Sequence, residues 1–376
     1  MVAHSEMMQR IARLTPLSDV AAMIDSWARP VAAQQIDLQA AFGRVLAEDC
    51  RAPAAKPEAP IALRDGWAVS SDDLADAGSY APVPLAQPPQ WLETGDLLPA
   101  GYDAVAPVDA IAWRGNLAEA VAPVTAGEGV LPVAGDVAAA TLLRTGGGRL
   151  RRIDLAALAA VGIERVAVRA PRIALVRAGA ASPVLDASIR LIDAAIVVAG
   201  GTVVPRDGTA ADHLDRAMHD DTVDAMIAIG GTGTGKRDGS VRALARNGTV
   251  AMHGLAVSPG ETTALGTVDG RPVLLLPGRL DAALAVWLTV GRPMLRRLWG
   301  GIDDDAATEA TLSRKVSSPL GLTEVVLVRS SGDACEPLAS GYLSLGALVR
   351  ADGWIRIPPD SEGYPAGTSV RIRPLP

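Results

Sequence analysis

The sequence predicts a multidomain α/β protein with one doubly wound, mostly parallel sheet and two smaller β domains. Three observations predict this class. Between residues 171 and 300, short apolar runs alternate with helical runs, which is typical of a parallel sheet covered on both faces. Residues 50–137 and 305–376 are instead rich in Pro and Gly and contain short β-type runs. A length of 376 residues leaves room for about two to three domains.

Composition excludes several classes of protein. Hydrophobic residues make up 49% of the chain but aromatic residues only 3%, so Ala, Leu and Val must fill the core. The net charge of −7 argues against non-specific nucleic-acid binding, which requires a positive field. Cys50 and Cys335 lie far apart and indicate no disulfide framework. The N-terminus has no apolar signal segment, and the apolar run near 193–204 is too short and Gly-broken to span a bilayer. We therefore expect a cytoplasmic protein with no nucleic-acid or membrane partner.

The N-terminal region is predicted to be helical. Ser18 and Asp19 can cap a first helix over Val20–Ala28, and Asp37 can cap a second over Leu38–Leu46. A third helix is expected at 154–162, with a C-terminal glycine. We assign residues 7–47 together with 139–170 to a helical linker domain.

Two β domains flank the central region. Residues 48–138 form the first, with β-type runs at Ala104–Val108 and Ala118–Ala122. Residues 305–376 form the second, with alternating apolar and polar residues at Thr323–Val328 and Trp354–Ile357.

Residues 171–302 form the predicted α/β domain. Its expected strands are Arg172–Arg177, Thr202–Pro205, Ala225–Ile229, Thr249–Met252 and Pro272–Leu276. Helical runs lie near 187–199, 210–219, 240–246 and 280–298. Ligands of such sheets bind beyond the carboxyl ends of the strands. The turns expected at that edge carry glycines at Gly179, Gly208, Gly230–Gly235, Gly260 and Gly278.

The glycine loop after the third of these strands is the strongest candidate for a ligand site. It consists of Gly230, Gly231, Thr232, Gly233, Thr234, Gly235 and Lys236, and is followed by Arg237 and Asp238. Glycines let backbone N–H groups turn toward an anion without Cβ clashes, and a following helix adds positive potential. Lys236 is one of only three lysines in the chain. The loop therefore predicts a phosphate cradle.

The loop alone leaves two alternatives open. The spacing from Gly230 to Gly235 and Lys236 fits a P-loop, but Arg237 stands where Ser or Thr would hold Mg²⁺, and no clear Walker B partner follows. A P-loop-like nucleotide-binding protein is thus a distant alternative. A glycine-rich βα turn without a ligand is the structural alternative.

Several motifs along the chain match one family. Residues 61–69 match S-A-M-D-G-Y-A, residues 94–105 match T-G-A-P-x-P-x-G-x-D-A-V, and residues 135–136 fall at G-E-D. Residues 230–238 match G-G-x-S-x-G-x-x-D, and residues 276–278 match the start of L-P-G-N-P. On these residues the chain resembles, over nearly its whole length, the MoeA/gephyrin-type molybdopterin molybdenumtransferase family.

The resemblance implies a fold and an activity. Members are elongated homodimers with a MoaB/Mog-like α/β domain, and their active site lies between that domain and the β domain of the other subunit. They use molybdopterin or adenylylated molybdopterin, molybdate and Mg²⁺. The resemblance implies a small phosphorylated pterin as ligand and a molybdoenzyme or its chaperone as a further partner.

The same resemblance assigns roles to individual residues. It implies Asp65, Thr94, Asp136 and Asp238 as catalytic residues and Asp207 and Asp238 as metal ligands. It implies that the cofactor is bound by Gly230, Gly231, Thr232, Gly233, Thr234, Gly235, Lys236, Pro277, Gly278 and Arg279.

The chain also departs from the family pattern, which marks it as a divergent member. The family's S-T-G-D-E becomes residues 177–181, which keep only the glycine, and K-P-G-K-P becomes residues 258–262, with Ser258 and Glu261 in place of lysines. Losing these carboxylates and lysines weakens the binding of hard cations and oxyanions. Arg177 and Arg279 could rebuild an anion site, because Arg binds phosphate bidentately. Two hypotheses follow: an active molybdenum-inserting enzyme, or a catalytically silent relative that binds or delivers the cofactor.

Overall fold

A computed structural model describes residues 9–206, 213–236, 238–301 and 307–376. The N-terminal part contains an antiparallel sheet of order β1-β13-β2 and several two- and three-stranded sheets within residues 50–144. Its elements are α1 (Leu17–Trp27), β1 (Gln34–Asp37), β2 (Val45–Leu46), β3 (Cys50–Arg51), β4 (Ile61–Ala62), β5 (Gly66–Val69), α2 (Ser71–Leu74), β6 (Val83–Pro84), β7 (Gln90–Leu92), β8 (Ala104–Ala106), β9 (Ile111–Arg114), β10 (Leu117–Ala120), β11 (Val130–Leu131), β12 (Leu142–Arg144), α3 (Arg152–Ala160) and β13 (Arg165–Arg169).

The second predicted N-terminal helix was wrong. Residues Leu38–Ala40 form a single 3₁₀ turn, and the flanking segments are strands β1 and β2. Both strands pair with β13, and Leu38 and Leu46 are buried in one cluster with Val168. Tertiary pairing with a distant strand therefore overrides a local helical pattern. Helix α1 begins at Leu17, so the predicted capping residues fall inside its first turn.

The α/β domain contains one sheet of order β15-β14-β16-β20-β19-β17. A π-helix at Trp287–Gly291 joins its last two helices into one continuous helical segment. Its elements are β14 (Arg172–Arg177), α4 (Pro183–Val198), β15 (Thr202–Arg206), α5 (His213–Met218), β16 (Ala225–Ile229), α6 (Ser240–Asn247), β17 (Thr249–His253), β18 (Val257–Ser258), β19 (Ala264–Val268), β20 (Arg271–Leu276), α7 (Leu280–Val286) and α8 (Arg292–Trp299).

Each of the five predicted runs forms a strand, and β15, β14, β16 and β20 pair in parallel. Strand β19 was not predicted, and it lies antiparallel to both β20 and β17. Asp269 and Gly270, both with positive φ, form the tight turn between β19 and β20. Such an Asp-Gly pair is a hairpin signal.

The sheet is covered on both faces, as the apolar strands predict. Along β14, Ile173 and Leu175 lie in one buried cluster, and Ala174 and Val176 lie in another. The first cluster includes residues of α1, α4 and the α7–α8 segment, and the second includes residues of α5 and α6. The predicted α/β multidomain class is confirmed.

The C-terminal sheet has the order β18-β23-β24-β21-β27-β25, and an additional β23–β25 pairing closes it. Strand β18 belongs in sequence to the α/β part, and Val325, Leu327 and Trp354 share a buried cluster with that part. Its remaining elements are β21 (Thr308–Leu312), β22 (Val316–Ser317), β23 (Thr323–Ser331), β24 (Ala334–Ala339), α9 (Leu345–Arg350), β25 (Gly353–Ile357), β26 (Gly363–Tyr364) and β27 (Ser369–Pro374). Within the described ranges, no helix combines the length and apolar character needed to cross a membrane.

Candidate functional site

Three glycine turns meet at the carboxyl edge of the parallel strands. A Cβ on Gly230 would lie 2.8 Å from the backbone nitrogen of Gly179, and a Cβ on Gly278 would lie 3.4 Å from Cα of Gly230. The Gly230 N–H donates to the Leu276 carbonyl at 2.8 Å. Glycine at these positions lets the turns after β14, β16 and β20 pack directly against one another.

Side-chain hydrogen bonds of Gln9 fix the position of the glycine loop. Its Nε2 donates to the carbonyls of Gly231 at 3.1 Å and Gly233 at 2.7 Å. Its Oε1 accepts from the N–H groups of Val241 at 3.1 Å and Arg242 at 3.2 Å. Gln9 is buried, and the two amides belong to the first turn of α6. These two N–H groups at the N-terminus of α6 are thus satisfied by the chain itself.

Asp238 closes the loop. Its Oδ2 accepts from the Gly235 N–H at 3.0 Å, and a Cβ on Gly233 would lie 2.7 Å from that oxygen. Its carbonyl accepts from the Arg242 side chain at 2.9 Å. The N-cap of α6 is Gly239, so Asp238 stabilises the loop and not the helix end.

The remaining loop residues divide into a buried and an exposed set. Thr232 is 2% exposed, and its Oγ1 lies 3.0 Å from Oγ1 of Thr262. The backbone carbonyl of Thr232 accepts from His253 Nε2 at 2.9 Å. Within 230–236, the exposed residues are Thr234, Gly235 and Lys236. Access for a ligand from solvent is therefore through the tip of the loop. The predicted metal ligand Asp207 and the adjacent Arg237 lie outside the described residues.

Both arginines that could replace the family's lysines are paired with carboxylates. Arg279 follows the buried Pro277 and the half-buried Gly278. It contacts Asp281 with Nε–Oδ1 at 3.1 Å and Nη2–Oδ2 at 2.5 Å. That hydrogen bond raises the pKa of Arg279. Arg177 contacts Asp186 with Nη1–Oδ1 at 2.6 Å. The positive charge of each is thus largely balanced within the chain.

Two carboxylates lie around segment 258–262, Glu261 within it and Glu324 on the strand that pairs with Ser258. Glu261 accepts from the Gly260 N–H at 3.0 Å. Glu324 on β23 pairs in register with Ser258, and it is 3% exposed. Burial raises the pKa of Glu324, and the nearby charge of Glu261 raises it further, although the polar groups of Ser318 and Gly341 nearby oppose the shift. The junction is therefore acidic where β18 pairs with β23.

Asp65 and Thr94 form the second group of predicted residues. Oδ1 of Asp65 accepts from the Thr94 N–H at 2.7 Å and from its hydroxyl at 2.9 Å, and these bonds lower the pKa of Asp65. A Cβ on Gly66 would lie 2.2 Å from the Ala106 carbonyl oxygen. Gly95 has φ +95°, which glycine tolerates best. The two glycines thus allow the close strand approach and the turn that bring the exposed pair together.

Trp67, which follows Gly66 on β5, packs against two other tryptophans. Its ring lies 5.0 Å from that of Trp91 and 5.7 Å from that of Trp113, measured between centroids.

Asp136 is exposed, and its N–H donates to the Lys56 carbonyl at 3.0 Å. The contacts described for Asp65, Thr94 and Asp136 stay within residues 48–138. The structure therefore places the predicted residues in two groups, one on the β domain and one on the glycine loop.

Sequence reasoning missed Gln9, which lies more than 200 positions before the loop it holds. No local pattern marks a single glutamine as a partner of a distant loop. The pairing of Asp281 with Arg279 has a weak signal in the sequence. An acid two residues after an arginine at the start of a helix is well placed to pair with it.

Three family descriptions match consecutive parts of the chain. The MoeA N-terminal region (domain I and II) matches residues 6–162, a probable molybdopterin binding domain matches 181–297, and the MoeA C-terminal region (domain IV) matches 309–375.

Relatives match over most of the chain. A putative molybdopterin biosynthesis protein of Methanocaldococcus jannaschii is 26% identical, covering 90% of this chain and 91% of that protein. Molybdopterin molybdenumtransferase 2 of Mycobacterium tuberculosis is 28% identical, covering 90% and 94%. The crystal structure of a molybdopterin biosynthesis MoeA protein from Pyrococcus horikoshii superposes with a TM-score of 0.77 at 24% identity, covering 96% of this chain and 99% of that one.

These matches confirm the family predicted from the motifs. The three descriptions follow one another in the order and positions of the parts seen in the structure. The superposition supports the same fold across the whole chain. The protein belongs to the MoeA family.

Proposed function

We propose that this protein acts in molybdenum cofactor biosynthesis, binding molybdopterin or adenylylated molybdopterin and inserting molybdenum from molybdate. The observation that carries the proposal is the meeting of the three glycine turns around the exposed loop tip at Thr234–Lys236. This loop lies inside the part that matches the probable molybdopterin binding domain. The name of the Mycobacterium tuberculosis relative supports the same reaction.

The two groups of residues suggest a site shared by two chains. Asp65 and Thr94 lie on the β domain and Asp238 on the glycine loop, with separate sets of contacts. In the proposed homodimer, the β domain of one subunit brings Asp65, Thr94 and Asp136 to the loop of the other. We place this dimer in the cytoplasm, and a molybdoenzyme or its chaperone would receive the product.

The residues present fit Mg²⁺ only in part. One oxygen of Asp238 is engaged by Gly235, and the turn after β14 offers Ala180 and Ala181 instead of carboxylates. Mg²⁺ is commonly held by one or two carboxylates together with substrate phosphates. Asp238, with Asp65 of a second copy, would supply that number, and Asp207 is a further candidate. Bound Mg²⁺ would neutralise charge on the substrate, while Lys236 at the loop tip would hold a phosphate.

Ligand binding is tested by closing the loop. In Gly233→Val, the added side chain meets Asp238 Oδ2, since a Cβ there would lie 2.7 Å away. We expect calorimetric binding of molybdopterin to be lost. Gly346→Val is the matched control, because a Cβ at Gly346 meets nothing within 4 Å. Unchanged binding by Gly233→Val would remove the loop from the site.

Catalysis is tested separately by reconstituting a cofactor-free molybdoenzyme with molybdopterin, molybdate, Mg²⁺ and this protein. We expect metal insertion above the level without protein, and its loss in Asp238→Asn. Retained molybdopterin binding with no insertion would instead support a silent relative. The relatives do not favour that alternative, nor the P-loop one. The geometry agrees, since Lys236 lies in a turn four residues before α6, whereas a P-loop lysine opens its helix.

A further inference from the structure

A large cavity lies far from the glycine loop. It has a volume of about 800 Å³, within the size range of small-molecule sites. Helix α4 connects the two regions. Leu185 near its start lies beside Gly230, since a Cβ on that glycine would be 3.5 Å from Leu185 Cδ1, and Ala195 and Val198 near its end line the cavity. At 1.5 Å per residue, these ends are separated by roughly 15–20 Å. The cavity is therefore a distinct site.

The cavity is strongly basic. Among the residues that the structure describes, its wall contains no Asp or Glu side chain. The arginines that line it are Arg144, Arg149, Arg292, Arg296, Arg356 and Arg373. This concentration is unexpected in a chain with a net charge of −7. Confinement in a concave wall raises the local positive potential.

Some of these arginines have structural roles. Arg149 donates to the Val198 carbonyl at the end of α4. Arg144 donates to the Arg149 carbonyl at 2.8 Å and lies 3.5 Å from Asp154. Arg292 and Arg356 differ from these two, because neither has a hydrogen-bond or ion-pair partner in the part of the chain that the structure describes. At least two guanidinium groups in the wall are thus available to a ligand.

Three tryptophans form an aromatic part of the wall, and two of their N–H groups have no partner among the described residues. Trp287, Trp299 and Trp354 line the cavity, and the Arg373 guanidinium lies 5.5 Å from the Trp354 ring centre. The buried Nε1 atoms of Trp299 and Trp354 have no acceptor among the described residues. The described wall therefore carries several side-chain donors and no side-chain carboxylate. A ligand rich in acceptors and negative charge would complement it.

We propose that this cavity is a second anion site, which binds a small phosphorylated molecule carrying at least two negative charges. Phosphate fits because a guanidinium presents paired N–H groups that match its oxygens. Arg292 lies at the start of α8 and Arg356 on β25, so a ligand bound to both would join the α/β part to the C-terminal sheet. The site needs neither the glycine loop nor a second subunit.

The test uses pyrophosphate as the probe and calorimetry on the full chain. We expect saturable binding with a Kd below about 1 mM at low salt, in wild type and equally in Gly233→Val, which separates this site from the loop. Arg356→Gln, at an exposed position, should raise the Kd about tenfold, and adding Arg292→Gln should raise it further.

The control removes the same charge elsewhere. Arg329→Gln with Arg350→Gln lies outside the cavity, and we expect its Kd to stay within about twofold of wild type. Circular dichroism checks that each variant is folded. Absence of saturable binding, or equal weakening by the control pair, would overturn the proposal. Loss of pyrophosphate binding in Gly233→Val alone would place the binding at the loop and overturn it as well.

Discussion

Gln9 connects the N-terminal segment to the glycine loop through one side chain. All four of its hydrogen bonds are to backbone groups of the loop and of the first turn of α6. Buried backbone groups left without partners cost more than the bonds themselves contribute. Gln9 is thus a positioning residue that fixes the loop before any ligand arrives.

Replacing Gln9 should therefore destabilise the protein. Gln9→Ala removes the partner of the Gly233 carbonyl and of two amides, while the Gly231 carbonyl keeps its bonds from Ser240, and we expect the free energy of unfolding to fall by about 2–3 kcal/mol. Urea denaturation measures it, with the exposed Gln35→Ala as the control, expected within about 0.5 kcal/mol of wild type. A loss in Gln9→Ala no larger than in the control would contradict the positioning role.

Glu324 should make stability depend on pH. Burial raises its folded-state pKa above the ordinary value of 4.5, so the folded state binds the proton more tightly than the unfolded chain. Its contribution is therefore fully present below about pH 4.5 and is lost as the pH rises through the raised pKa. Relative to Glu324→Gln, wild type should lose unfolding free energy as the pH rises above 4.5. Parallel urea-denaturation profiles for the two proteins would show that Glu324 does not titrate in this way.

At the scale of elements, the turn after β14 differs most from the family pattern. It packs through Gly179 against Gly230, yet it presents Ala180 and Ala181 where the resemblance implies two carboxylates. The turn is followed by Ser182, whose side chain accepts from the Leu185 N–H at 3.2 Å and caps α4. The scaffold of the turn is thus intact, while hard oxygen ligands are missing from it.

Restoring those ligands should increase activity. In Ala180→Asp with Ala181→Glu, both side chains enter positions near the loop, and we expect faster molybdenum insertion in the reconstitution assay because Mg²⁺ gains oxygen ligands. Ala180→Asn with Ala181→Gln is the matched control, since it adds similar volume without charge. Equal rates for the two double variants would exclude a role for the added charge.

At the scale of the whole molecule, the proposed shared site requires two copies of the chain. Asp65 and Asp238 would then act on the same substrate from different subunits. A cyclic dimer has two such sites, related by its symmetry.

Mixing two inactive variants tests this arrangement. Asp65→Asn and Asp238→Asn should each be inactive alone. After random exchange of subunits, half of the dimers carry one site with both aspartates intact, so activity should recover to roughly a quarter of wild type. Sedimentation and exchange of tagged subunits serve as controls. No recovery despite exchange would place both residues in one chain or outside the site.

Much of this organisation could be predicted from the sequence. The five apolar runs, the glycine loop and the family motifs depend on local residue types, because alternating strands and helices and left-handed glycines leave local patterns. Asp65 and Thr94 are 29 positions apart, and no local pattern links them. Both were assigned because each lies in a motif of the family.

Tertiary structure alone decided the rest, because long-range partners leave no local pattern. The segment at 38–46 became a 3₁₀ turn and a strand since β13 pairs with both β1 and β2. Arg279 and Arg177 were predicted from charge, but folding brings each to a carboxylate that balances it. Gln9 bonds to the glycine loop although the two are far apart in sequence. Arg292 and Arg356 likewise come from distant segments and line one cavity. Residue types determined which chemistry was available, and the packing of distant segments determined which groups remained free to use it.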